Sequence, residues 1–151
     1  SYGSGGMLSE VAGDGSLRKV WGTSKLGAQF HTPIARGGVI LGFDGMNARL
    51  SELVCLDAAS GEEKWRSDFG GAFGRGNLVD LGDAGVLALG EFGELLRFKP
   101  EADKAVVLQR VQLFKAPETW TIPVLAGRRL LVVQNERDKD GNAPRVLCYR
   151  Y

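Results

Sequence analysis

Leu53-Val54-Cys55-Leu56-Asp57-Ala58-Ala59-Ser60-Gly61-Glu62-Glu63-Lys64-Trp65 reads as a strand, a tight turn and a second strand. Leu53 to Leu56 is an apolar run that suits a buried strand. Asp57 and Ser60 carry short side chains able to hydrogen-bond the turn backbone, and Gly61 can take a positive φ where other residues cannot. Trp65 then offers a large face to bury between layers, with one N–H that needs a partner.

The same grammar recurs outward from this stretch. Thr32-Pro33-Ile34-Ala35-Arg36-Gly37-Gly38 followed by Val39-Ile40-Leu41-Gly42 has a counterpart in Ile122-Pro123-Val124-Leu125-Ala126-Gly127 followed by Leu130-Leu131-Val132-Val133. The two prolines lie 90 residues apart (123 − 33), and the two cysteines, Cys55 and Cys148, lie 93 apart (148 − 55). One intervening repeat gives a period of about 45, the spacing of a four-stranded unit. The middle repeat falls at Gly76–Leu81, Val86–Gly90, Glu94–Phe98 and Ala105–Leu108. Strands are therefore predicted near 32–36, 39–43, 52–57 and 62–67, near 76–81, 86–90, 94–99 and 105–111, and near 121–126, 129–134 and 145–151. Ahead of these, Met7–Ala12 and Leu17–Trp21 form a hairpin across Gly13-Asp14-Gly15, with Trp21 in the place of Trp65. No segment carries a strong helical period.

Composition agrees with a folded all-β chain. The 151 residues are 44% hydrophobic and 25% charged, and the 22 glycines, spread evenly, mark many turns. A net charge of +1 with no basic cluster beyond Arg128-Arg129 argues against nucleic acid as a partner. No apolar run is long enough for a helical membrane span. Ser1-Tyr2-Gly3-Ser4-Gly5-Gly6 has neither the basic start nor the apolar stretch of a signal peptide, and a cleaved or truncated chain is expected.

Strand, Asp-x-x-Ser-Gly, three residues and Trp, as in Asp57 to Trp65, closely resembles the repeat of bacterial pyrroloquinoline-quinone-type (PQQ-like) β-propellers, and the similarity extends from Met7 to Tyr151. What the resemblance implies is an incomplete propeller of four-stranded antiparallel blades, about three to three and a half of them. Residues 1–151 would form part of one domain, with a partial blade at 7–21, blades at 30–67 and 74–112, and a partial blade at 119–151. Trp21, Asp57, Gly61 and Trp65 would be the blade-docking residues. Another chain or further blades would be needed to close the ring, and two copies would give about seven blades. The resemblance also implies a periplasmic or cell-surface location and a quinoprotein-like or WD-like repeat architecture.

Chemistry is sparse beside that fold. His31, Arg75 and Trp120 each open the innermost strand of a repeat, and in a propeller they would meet at one end of the channel. They are the candidate ligand-binding set, for a small anionic or aromatic ligand. The favoured competing reading is that they cap strands and pack on the neighbouring connectors. Glu136-Arg137-Asp138-Lys139-Asp140-Gly141 mimics the start of an EF-hand loop, but its twelfth place is Leu147 rather than a bidentate Glu, so an exposed acidic hairpin loop is expected and no metal site. Gly70-Gly71-Ala72-Phe73-Gly74-Arg75-Gly76 opens a strand, not a helix, and offers no phosphate cradle. Glu62 and Glu63 alternate across a strand and cannot share a proton. One His without an identified nucleophile makes a poor triad. Cys55 and Cys148 are expected to be free and buried.

These readings assign no catalytic residue and no cofactor. The sequence-level expectation is a non-catalytic PQQ-like propeller scaffold or binding module, with a protein, peptide or saccharide as ligand. The alternative is part of a quinone-dependent dehydrogenase. That alternative lacks the adjacent cysteines and the acidic calcium site that the resemblance would require.

Overall fold

A computed structural model describes residues 3–71 and 73–150; Ser1, Tyr2, Ala72 and Tyr151 lie outside the described residues, and with them the ends of the predicted domain, part of the Gly70–Gly76 loop and the end of the last predicted strand. The described residues form thirteen strands in four separate antiparallel sheets, and two single turns of 3-10 helix at Ala48–Leu50 and Gly82–Ala84. Strands β1 (Gly6–Val11) and β2 (Leu17–Thr23) make the first sheet. β3 (Ile34–Arg36), β4 (Val39–Asp44), β5 (Glu52–Asp57) and β6 (Glu63–Ser67) make the second, in chain order. β7 (Asn77–Asp80), β8 (Val86–Leu89), β9 (Glu94–Pro100) and β10 (Ala105–Gln112) make the third. β11 (Val124–Ala126), β12 (Arg129–Gln134) and β13 (Arg145–Arg150) make the fourth, which has three strands.

The turn chemistry at 57–61 is as the residues dictate. Asp57 Oδ1 accepts the backbone N–H of Ala59 and of Ser60, each at 3.0 Å. Gly61 sits at φ 75° and donates its N–H to the Asp57 carbonyl at 2.9 Å. These hydrogen bonds hold the Asp57 carboxyl below the usual carboxylate range, the backbone N–H of Ser60 being the largest influence.

Consecutive sheets bury their facing residues. Leu26, Val54 and Leu56, with Trp21 and Ile40, fill the space between the first and second sheets. Leu41, Phe43, Cys55, Trp65, Phe73, Val86 and Phe98 lie between the second and third. Leu87, Leu89, Phe114, Leu130 and Val132 lie between the third and fourth. Two tryptophans join neighbours directly. Trp21 on β2 donates Nε1–H to the Ala58 carbonyl at 3.0 Å, and Trp65 on β6 donates to the Glu101 carbonyl at 3.0 Å. Each indole thus reaches the turn after the third strand of the following sheet.

The chain is all-β, but the propeller expectation is overturned. The four sheets are open and separate, with two, four, four and three strands, and they neither form radial propeller blades nor close into a ring. The identification as a PQQ-like, quinoprotein-like or WD-like propeller falls with closure. So do the propeller scaffold or binding module and the partial quinone-dependent dehydrogenase, both of which presuppose a ring. The physical reason is one of range. The motif from Asp57 to Trp65 specifies a hairpin and one indole contact, both local; closure depends on how the whole row of sheets is arranged, about which a local motif says nothing.

The expectation of two buried thiols is half corrected as well. Cys55 is buried and Cys148 exposed. Their register is equivalent, since Cys55 pairs with Leu41 and Cys148 with Leu131. The second sheet has the third against that face, whereas on the fourth sheet Val124 and Val146 share the exposure of Cys148.

Candidate binding groove and arginine–tryptophan cluster

The sequence-selected residues divide between two environments. Arg75 and Trp120 meet on a residue that sequence reasoning passed over, Glu91. Glu91 lies in the turn Gly90–Gly93 between β8 and β9 and is 1% exposed. Its Oε2 accepts the backbone N–H of Arg75 at 3.0 Å and Arg75 Nε–H at 2.9 Å, while Oε1 accepts from Arg75 Nη2 and, at 3.3 Å, from Trp120 Nε1–H. Arg75 also reaches the Gln29 side chain at 3.0 Å and lies 5.0 Å from the Phe30 ring centroid. Phe30 stacks on Trp120 at 4.7 Å. The cluster ties three inter-sheet connectors together. A bidentate arginine already matched to a buried carboxylate is a structural clamp, since its fork of donors is taken by the partner.

His31 stands apart from this network. Its Nε2 accepts the backbone N–H of Phe43 at 2.7 Å, and its ring meets the Phe43 ring edge-on at 5.6 Å. An accepting Nε2 requires the neutral imidazole with its proton on Nδ1. Burial is the main influence that lowers the His31 pKa from 6.5 to about 4. The side chain thus caps an unpaired strand donor.

The Glu136–Gly141 loop is built around Asp138, which is buried rather than exposed as expected. Asp138 accepts the backbone N–H groups of Asp140 and Asn142, the Asn142 side-chain amide at 2.8 Å and Arg145 Nη2 at 3.1 Å. Its acceptor capacity is spent within the loop. Among the described residues no group of three or more His, Cys, Asp or Glu side chains has the proximity to hold a metal ion.

A groove of about 820 Å³ runs between the third and fourth sheets. Leu81, Leu87, Leu95 and Leu113 line it from the third sheet and its connectors, and Leu125, Leu130 and Tyr149 from the fourth. Arg97 and Gln109 stand at its rim, where Arg97 Nε–H donates to Gln109 Oε1 at 2.9 Å and Arg97 Nη1 to the Ala84 carbonyl at 3.0 Å. The groove borders β13, the end strand of the three-stranded sheet. β13 corresponds to β5 and β9, each of which has a fourth strand at its side. Among the described residues no strand pairs with the outer edge of β13, whose backbone donors and acceptors correspond to ones that the two four-stranded sheets satisfy internally.

No protein-family model matches the chain, and comparison with curated proteins finds no significant match.

Proposed function

We propose that this chain is a non-catalytic binding domain that takes up an extended polypeptide segment from outside these 151 residues. The segment adds to the open edge of β13 and lays side chains into the adjoining groove. Strand addition supplies backbone hydrogen bonds for affinity, and a pocket for alternate side chains supplies selectivity. The carrying observation is the coincidence of a strand edge that no described strand pairs with and an apolar groove of about 820 Å³ at the same sheet. A volume of this size falls within the range of ligand sites. A binding role also suits the ionisable side chains first selected from the sequence: Arg75 is clamped to Glu91, and His31 caps the Phe43 amide.

The test is amide NMR on the full chain with an alternating pentapeptide, acetyl-Lys-Val-Leu-Val-Lys-amide. Expected are shifts and slowed hydrogen exchange along Arg145–Arg150, both weakened by Leu125→Gln, which places an amide in the groove. Shifts confined to other strands, or no response at millimolar peptide, overturn the proposal.

A further inference from the structure

We infer that the groove is a receptor for one tryptophan side chain carried by the docked segment, an inference that rests on the reading of β13 as the docking edge. Trp21 pairs with Leu8 immediately after a β-bulge in β2, and Trp65 pairs with Cys55 immediately after a bulge in β6. β10 has the same bulge, and the residue after it, paired with Arg97, is Gln109. Gln109 thus stands where the two preceding sheets place an indole. The Cys55–Trp65 pair, both buried, is replaced by Arg97 and Gln109 at a groove rim.

The first two junctions are closed by the chain's own tryptophans, and at the third the described residues place Gln109, not an indole, at the matching position. Its inner part is an established interface, where Leu87, Leu89, Phe114, Leu130 and Val132 are already buried between the third and fourth sheets. The groove is the continuation of that interface toward β10 and β13. A segment paired with β13 would lie over this opening, and every second side chain would point into it. An indole has the flat, extensive apolar surface that this fold uses at the other two junctions.

The rim adds a preference for an aromatic ring over an aliphatic chain. Two hydrogen bonds fix the Arg97 guanidinium at the groove edge, and a held, planar cation attracts the face of an indole more than it does a leucine. A second copy of the chain is a poor donor of that indole. Trp21 and Trp65 are committed to Ala58 and Glu101, and Trp120 is stacked on Phe30 and bonded to Glu91.

The experiment compares acetyl-Lys-Val-X-Val-Lys-amide peptides with X as Trp, Leu or Ala, titrated calorimetrically into the full chain and into Gln109→Trp. Binding of the Trp peptide about tenfold tighter than the Leu peptide, and undetectable binding of the Ala peptide, is expected. Gln109→Trp supplies the chain's own indole to the opening; it should retain or raise the thermal midpoint and lose the preference for the Trp peptide. Equal binding of the Trp and Leu peptides overturns the indole receptor and leaves the docking edge standing. An unchanged Trp preference in a folded Gln109→Trp overturns its placement in this groove. Failure of every peptide to perturb β13, or self-association of the chain through the groove, overturns both.

Discussion

The Trp21 ring lies so close to the α-carbon of Gly61 that a β-carbon added there would sit 2.6 Å from two of its ring carbons. Gly61 is therefore required twice. Its φ of 75° places it in the left-handed region, and the neighbouring sheet's indole occupies the space a side chain would need. The turn that ends β5 and the docking of the first sheet are one feature.

That double requirement predicts a non-additive pair. Gly61→Ala should cost about 1–2 kcal/mol from the backbone alone and a further amount from displacing Trp21. In a Trp21→Ala background only the backbone part should remain, so the double mutant should be more stable than the sum of the single effects implies. Denaturant unfolding of the four proteins in the cycle measures this. Full additivity would show that the contact contributes nothing to stability.

The Arg75–Glu91 clamp predicts an asymmetric response. Glu91→Ala removes the carboxylate that matches the charge of the arginine, whose side chain is 18% exposed, and should cost about 3 kcal/mol or more. Arg75→Met combined with Glu91→Leu removes both charges and should recover most of that loss, because apolar replacement of a buried ion pair is often close to neutral. Equilibrium unfolding of the single and double variants is the measurement. A double variant no more stable than Glu91→Ala would refute the account.

The second sheet was legible from the sequence because its determinants are local. Asp57, Ser60 and Gly61 act within five residues, and the predicted strands at 52–57 and 62–67 are found at Glu52–Asp57 and Glu63–Ser67. The role of Glu91 was not legible, since its partners lie 16 and 29 residues away in other connectors. A charged residue inside Gly90-Glu91-Phe92-Gly93, between two apolar strands, was the available signal. The equivalence of Gln109 to Trp65 was hidden for another reason. It depends on bulges that shift the register by one residue, and glutamine bears no resemblance to tryptophan. The propeller-blade arrangement rests on a motif that encodes only neighbour-to-neighbour contact, and so it failed.

The two thiols should separate cleanly by reactivity. Cys148 is exposed, whereas Cys55 is packed against Trp65, and burial pushes its thiol up to about 11. The nucleophile in alkylation is the thiolate, so Cys55 is protected both by access and by its protonation. Iodoacetamide at pH 8 should label one cysteine in the folded chain, identified as Cys148 by peptide mass mapping, and both in denaturant. Equal native labelling of Cys55 would mean that the interface between the second and third sheets opens readily.

His31 predicts a pH dependence of stability with a definite sign. The folded chain needs the neutral ring, because Nε2 accepts the Phe43 amide, and its pKa is lowered from 6.5 to about 4, chiefly by burial. Between those two values the unfolded chain binds the proton and the folded chain does not, so stability rises with pH across the window. The contribution is complete above pH 6.5, declines as the pH falls toward 4 and is lost below that. The full difference corresponds to at most about 3 kcal/mol, less whatever solvent screening removes at this partly exposed position. Asp57 and Asp138, whose carboxyls are held below the usual 3.8, titrate beneath this window. His31→Gln retains an oxygen able to accept the Phe43 amide but does not titrate. The wild-type chain should therefore lose more stability between pH 7 and 4.5 than His31→Gln does, as measured by urea midpoints. Parallel losses in the two proteins would show that the imidazole is not held neutral by the fold.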